Sequence, residues 1–326
     1  MISQLFTFRS PGTHPFENQA LESFFLEAVP DDACVLYLWR NDRTVVIGKN
    51  QNAWKECRVS RLEGEGGHLA RRISGGGAVY HDLHNLNFTF LLPTREYDED
   101  RQLEVILRAV RDLGIDASKS GRNDLTAEGR KFSGSAYWHG RGRSLHHGTL
   151  LVGSDLDTLT RYLSVSPDKL KSKGVESVRS RVVNLAQLCP GLTVESLVPR
   201  LTEAFGEVCG LRPRAWELTG KDRERVSELT GRFSSREWRF GQNVPFTAEL
   251  SRRFPWGGVE LSLRVEGGIV RQAAVYTDAM ETELFDTLSR SLEGAPFSSR
   301  DLVKHLSFSD SALLADLRAW LETEAM

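Results

Sequence analysis

The sequence predicts an α/β (α+β) protein in two parts, a large domain over 1–243 and a small α+β domain over 250–326. Three observations carry this. Amphipathic helical stretches alternate with short runs rich in β-branched and aromatic residues. The composition changes around Arg239-Phe240-Gly241-Gln242-Asn243-Val244-Pro245, and a hairpin and three helical stretches follow. A chain of 326 residues can bury one large core and a second small one.

The first helix is expected over Pro15–Ala28, where Phe16, Ala20 and Phe24 fall on one face. Cys34–Trp39 reads as a strand, Asn41-Asp42-Arg43 as a turn, and Thr44–Ile47 as the returning strand closed by Gly48. Helices are expected over Trp54–Leu62 and Tyr97–Leu113, the second with Leu103, Ile106, Leu107 and Val110 on one side. In the small domain, Val259–Glu266 and Ile269–Tyr276 flank a Gly267-Gly268 turn. Helices over Glu283–Leu292, Ser299–Leu306 and Ser309–Leu321 complete it.

The most informative stretch is Arg71-Arg72-Ile73-Ser74-Gly75-Gly76-Gly77-Ala78-Val79-Tyr80-His81-Asp82. Three consecutive glycines let backbone amides approach a ligand and adopt φ values closed to other residues. The arginines before them match carboxylate or phosphate oxygens. No Gly-Lys-Ser/Thr follows and no helix is opened, so neither common nucleotide glycine motif applies. The plain alternative is a hairpin turn beside two solvated arginines.

In Gly121–Tyr137 two short strands meet at Glu128-Gly129, and alternation separates Lys131 from its neighbours Arg130 and Phe132. Lys131 is placed to reach a pocket as a point charge. Asn123 and Asp124 offer the hard oxygens that Mg²⁺ takes alongside phosphates. An edge-strand lysine and a turn-forming aspartate are the structural alternatives. His146 and His147 precede a buried strand and, being adjacent, point to opposite faces. The basic segment Asp168–Arg181 is either a solvated connection or a lid over phosphate charge.

Net charge is −2, which excludes a general nucleic-acid binder. No run approaches the roughly 20 apolar residues of a membrane span, and Met1–Phe8 lacks the marks of a secretory signal. A cytoplasmic location is expected. Cys34, Cys57, Cys189 and Cys209 are scattered, which suggests neither a zinc site nor a disulfide framework.

Taken in order, Arg71–Asp82, Gly121–Leu125, Arg130–Tyr137 and His146–Leu151 resemble bacterial lipoate-protein ligase A. The likeness extends through Leu38–Arg40, Val45–Gly48, Trp54–Cys57, Ser177–Val182 and Phe254–Glu260, covering essentially the whole chain. The resemblance implies a mixed-sheet catalytic domain of the biotin/lipoate-ligase type with a small C-terminal accessory domain. It implies ATP and Mg²⁺ as cofactors and lipoate as substrate, activated to lipoyl-AMP and passed to a lysine. Implied acceptors are apo lipoyl domains of 2-oxoacid dehydrogenase E2 subunits and the glycine cleavage H protein. Neither nucleic acid nor membrane is implied, and two complete domains suit a monomer.

By the same resemblance, Lys131 is the central catalytic lysine, touching both ATP and lipoate. Arg72, Gly77, Ala78, Val79, Tyr80, Asn123 and Asp124 bind ATP, with Asp124 also at the metal. Arg72, Ser74, Gly75, Gly76, Gly77, His81 and Gly148 contact lipoate, and Lys173, Arg179 and Arg181 belong to a closing loop. The chain departs from the family at His84, where a glycine is usual, at Gln19, where leucine is common, and at Phe132, where a smaller residue is common. If His84 replaces a glycine of positive φ, that loop is strained. The alternatives are an octanoyltransferase of the same superfamily, which needs a cysteine nucleophile such as Cys189, a biotin-attaching enzyme, or a non-catalytic lipoyl-domain binder.

Overall fold

The computed structural model describes residues 1–121, 124–163, 182–241 and 247–324, apart from the side chains at 159 and 160. It divides into two compact units. The first comprises Met1–Ile47, Ala53–Ile73 and Ala78–Arg239; the second comprises Gly48–Asn52, Ser74–Gly77 and Phe240–Met326.

The strands of the first unit are β1 (Gln4–Arg9), β2 (Ala33–Trp39), β3 (Thr44–Ile47), β4 (His68–Arg71), β5 (Val79–His81) and β6 (Asn85–Pro93). They continue with β7 (Ala117–Ser120), β8 (Asp124–Ala127), β9 (Arg130–Gly140), β10 (Arg143–Leu151) and β11 (Pro213–Ala215). Eight of them form one sheet in the order β11-β1-β2-β6-β10-β9-β8-β7. β1 runs parallel to both neighbours and the pairings from β2 to β7 are antiparallel, so the sheet is mixed.

Helix Pro15–Ala28 forms as expected, with proline in its first turn, where a missing N–H costs nothing. Together with Gly220–Ser234 it covers one face of the sheet, in a core that holds Phe25, Val35, Tyr37, Leu91 and Leu145. Helices Glu99–Arg111 and Val194–Cys209 cover the other face, over Leu36, Phe88, Phe90 and Phe132. Each fully buried side chain of this size contributes roughly 1.5–3 kcal/mol. The Glu128-Gly129 turn has φ of 52° and 73°, the doubly left-handed turn that suits twisted strands.

Two expectations need correction. β3 does not return against β2, because β2 is already paired with β1 and β6 and has no free edge. It opens a separate three-stranded sheet, β4-β3-β5, parallel to β4 and antiparallel to β5. The helix expected over Trp54–Leu62 is two pieces, Ala53–Glu56 and Val59–Gly64, interrupted where Cys57 bridges to Leu163. His84 does not have positive φ, and its amide donates to Asp82 Oδ1 at 2.8 Å, so no strain follows from it.

The second unit holds β12 (Ala248–Phe254), β13 (Gly257–Glu266) and β14 (Ile269–Thr277) in one antiparallel sheet. Helices Glu283–Leu292, Ser299–Lys304 and Ala312–Thr323 pack with it around Leu263, Phe285, Leu302 and Trp320. Two short loops belong to this unit: Thr277 N–H donates to Asn50 O at 2.9 Å, and Gly76 N–H to Ala279 O at 3.1 Å. Among the described residues no helix is long and apolar enough to cross a membrane.

Candidate active site

Lys131 stands at the start of β9, where the register slips by one residue: Leu125 pairs with Ser133, but Thr126 pairs with Lys131. Phe132 is the extra residue, and it drops into the core beside Leu125. Simple alternation would group Lys131 with Ser133 and Ser135. The bulge swings it over Gly134 instead, where a Cβ would lie 2.6 Å from Nζ. Nζ meets Asp124 Oδ1 at 2.7 Å, with the two side chains 40% and 37% exposed, so the pair stands open to a ligand. The larger Phe132 thus supports the lysine from below and takes no space from it.

Gly134, Ala136 and Trp138 then share a face, and Ala136 pairs with His147 on β10, which pairs in turn with Thr89 on β6. A buried polar row crosses this face. The Trp39 indole donates to Thr89 Oγ1 at 2.9 Å, and Thr89 donates to Glu22 Oε1 at 2.8 Å. His147 Nδ1 donates to the same oxygen at 2.8 Å. Glu22, on helix Pro15–Ala28, is therefore the organising acid of the face, and nothing in the sequence marked it out beyond being a glutamate in an apolar stretch. Asn18, one turn earlier, donates to Asn41 Oδ1 at 2.9 Å, and the Asn41 amide meets His81 Nδ1 at 3.3 Å. His81 Nδ1 is thus an acceptor, which puts the proton on Nε2, a buried donor without a partner among the described residues. Burial, with Arg72 and His147 nearby, pushes His81 down to about 3, so it is neutral at working pH.

Arg71 and Arg72 are both buried, not solvated. Arg71 Nε donates to the carbonyls of Trp238 and Arg239, a structural duty. Arg72 donates to Val46 O at 3.3 Å; burial lowers its pKa to about 10, opposed by the charge of Glu22, and it remains a cation. Arg72, His81, His147 and Glu22 are thereby brought together in the first unit. Tyr80 is buried against the Tyr162 ring at 5.6 Å, and Val79 and Ala78 are partly exposed.

The bend Ser74–Gly77 counts with the second unit, where its glycines differ. A Cβ at Gly75 would lie 2.4 Å from the carbonyl oxygens of Ala279 and Met280, and Gly76 has φ of 89°. Gly77 meets neither constraint and is exposed, the arrangement in which a backbone can be approached. Ser74 is fully buried, with its carbonyl accepting from Lys49 N–H at 2.9 Å. Gly148 faces the opposite side of the sheet from Lys131, because a Cβ there would lie 2.5 Å from the Phe88 ring. Asn123, Lys173, Arg179 and Arg181, with the whole segment 168–181, lie outside the described residues.

A half-exposed cation over a glycine floor and a buried polar row thus lie on one face of the sheet. Residues 14–206 match the family model for the lipoyl protein ligase A/B catalytic domain. The chain belongs to this family. Residues 243–317 match the model for the bacterial lipoate protein ligase C-terminus. Among solved structures, the chain is similar to LipL1 of P. falciparum in complex with lipoate, at 27% identity over 98% of this chain and 100% of that one, with a TM-score of 0.85. It is similar to the bipartite lipoate protein ligase of Thermoplasma acidophilum, described with its E2 lipoyl domain, at 29% identity over 76% and 100% of the two chains, with a TM-score of 0.67. A lipoate-protein ligase A bound with ATP matches at 29% identity over 74% and 99%, with a TM-score of 0.65.

Proposed function

We propose that this protein activates free lipoate with ATP and transfers the lipoyl group to a lysine of an apo lipoyl domain. A lipoate carboxylate oxygen attacks the α-phosphorus of ATP, the bond to pyrophosphate breaks, and lipoyl-AMP forms. The acceptor amine, having lost a proton, then attacks the acyl carbon and AMP leaves. The observation that carries this reading is Lys131, held by a bulge on the same face as Arg72 and the polar row. Its ammonium would lie between carboxylate and α-phosphate, holding two anions together and offsetting charge as it builds.

Arg72, Ala78, Val79, Tyr80 and Gly77, with Asn123 and Asp124, are the proposed nucleotide contacts; Ser74, Gly75, Gly76 and His81 are the proposed lipoate contacts, and Gly148, on the opposite side of the sheet, is not among them. Lys173, Arg179 and Arg181 are proposed to close over the adenylate. Among the described residues no group of three or more His, Cys, Asp or Glu is arranged so that it could hold a metal ion. Asp124 contributes one carboxylate, which fits Mg²⁺ arriving with the phosphates better than a resident ion. When bound, the ion would neutralise phosphate charge. The acceptors proposed are E2 lipoyl domains and the glycine cleavage H protein, met by a monomer in the cytoplasm.

The cysteine-dependent alternative finds little support in the thiols. Burial pushes Cys34 far up, Cys57 up to about 12 and Cys209 up as well. Cys189 caps the C-terminus of the short helix Leu185–Leu188 and is partly buried. The test is the intact mass of an apo lipoyl domain after incubation with the protein, lipoate and Mg-ATP. A single lipoyl adduct that requires ATP is expected. Modification from an octanoyl carrier without ATP would replace this reading with the transferase.

A further inference from the structure

Gln19 sits one turn before Glu22 on helix Pro15–Ala28, so the two side chains share a side of the helix. It is 2% exposed, and neither its amide nitrogen nor its oxygen has a hydrogen-bond partner among the described residues. Folded proteins rarely leave a buried amide in that state. Its polar neighbours on the helix are provided for: Glu22 accepts from Thr89, and Asn18 donates to Asn41 and Arg40 O. Packing alone gives no reason for the amide, since a leucine fills similar space without the polar atoms.

We propose that Gln19 sets the acyl selectivity of the ligase, its amide hydrogen-bonding heteroatoms at the end of the bound acid furthest from Lys131. This rests on the ligase reading above. Lys131 and the Glu22–His147 row share one face, and Ala136, opposite His147, is five positions along β9 from Lys131. Because Phe132 bulges out of the ladder, four steps of about 3.3 Å remain and the separation is roughly 13 Å, which a lysine side chain and an extended medium-chain acid together span. Gly134 and Ala136 keep the intervening floor low. An acid held by its carboxylate at Lys131 therefore runs toward the row that Gln19 adjoins. A plain alkyl tail leaves the amide unpartnered; a tail bearing sulfur gives it an acceptor. Since a divalent sulfur accepts only weakly, discrimination is smaller than for a hydroxyl, about tenfold.

The experiment compares pyrophosphate release with lipoate and with octanoate for the wild-type protein and for Gln19→Leu and Gln19→Met, reading the ratio of kcat/KM values. The wild type should prefer lipoate, and both variants should lose about tenfold of that preference, mainly by gaining on octanoate. A ratio unchanged in either folded variant overturns the proposal. Calorimetry of the two acids without ATP separates this from failure of the ligase reading. If no pyrophosphate is released yet the acids bind, the ratio of Kd values should shift in the same way, and a constant ratio overturns the role of Gln19. A wild-type protein that neither binds nor uses either acid overturns both.

Discussion

His146 and His147 are neighbours on β10, and each is buried, yet they belong to opposite faces of the sheet and to different kinds of polar network. His147 joins Glu22, Thr89 and Trp39 on the face that also carries Lys131 and approaches Arg72. His146 bonds Gln102 at 2.8 Å amid Phe88, Phe90 and Tyr97, beside a cavity of about 40 Å³ that Gln102 helps to line. The first network converges on one carboxylate and shares its face of the sheet with the open Lys131–Asp124 pair. The second is an isolated pair in a greasy core. The same residue type, one position apart, thus joins the network on the face of the proposed site and packs into the apolar core on the other. Only the partners tell them apart.

The largest expected effect is on the site face. Lys131→Ala should lower adenylate formation by a factor on the order of a thousand or more, while the thermal midpoint moves little, because the ion pair it breaks is half exposed. Pyrophosphate release and a melting curve on one sample check this; near-normal release from a folded variant contradicts it. Glu22→Gln comes next. It keeps the shape of the acid but disturbs two hydrogen bonds to one oxygen, so we expect a loss of about 1–3 kcal/mol in urea unfolding together with a rise in KM for lipoate. A stability loss with unaltered kinetics would place Glu22 outside the site.

How far these faces were legible in the sequence depended on whether the signal was local. The periodicity of Phe16, Ala20 and Phe24 gave the helix that covers the site face, and Glu128-Gly129 gave the turn that delivers Lys131. Alternation alone assigned His146 and His147 to opposite sides, as they are. What escaped depended on other strands. The bulge at Phe132 is a register property of β8 against β9, and the departure of β3 from β2 follows from edges already occupied. Glu22 became significant only once Thr89 and His147, 67 and 125 residues away, were seen beside it.

The smallest effect sharpens the comparison from the other side. Burial pushes both His81 and His146 to about 3, well below the 6.5 of an unfolded histidine. Between those values the unfolded chain binds more protons, so stability is complete above about pH 6.5 and falls as the pH drops toward 3. His146→Leu should make that fall shallower between pH 6.5 and 5 in urea titrations, leaving turnover at neutral pH as it was. An unaltered slope would mean that His146 is not held neutral by the apolar face, and altered turnover would mean that the two faces are not separate in function.

The most direct measurement is detection of lipoyl-AMP itself by mass spectrometry, after mixing the wild-type protein with lipoate and Mg-ATP in the absence of any acceptor. The account predicts an enzyme-bound adenylate in the wild type and none in Lys131→Ala. Absence of the adenylate from a wild-type protein that still transfers an acyl group, or its presence at full yield in the variant, would contradict the assignment of the chemistry to Lys131 and its face of the sheet.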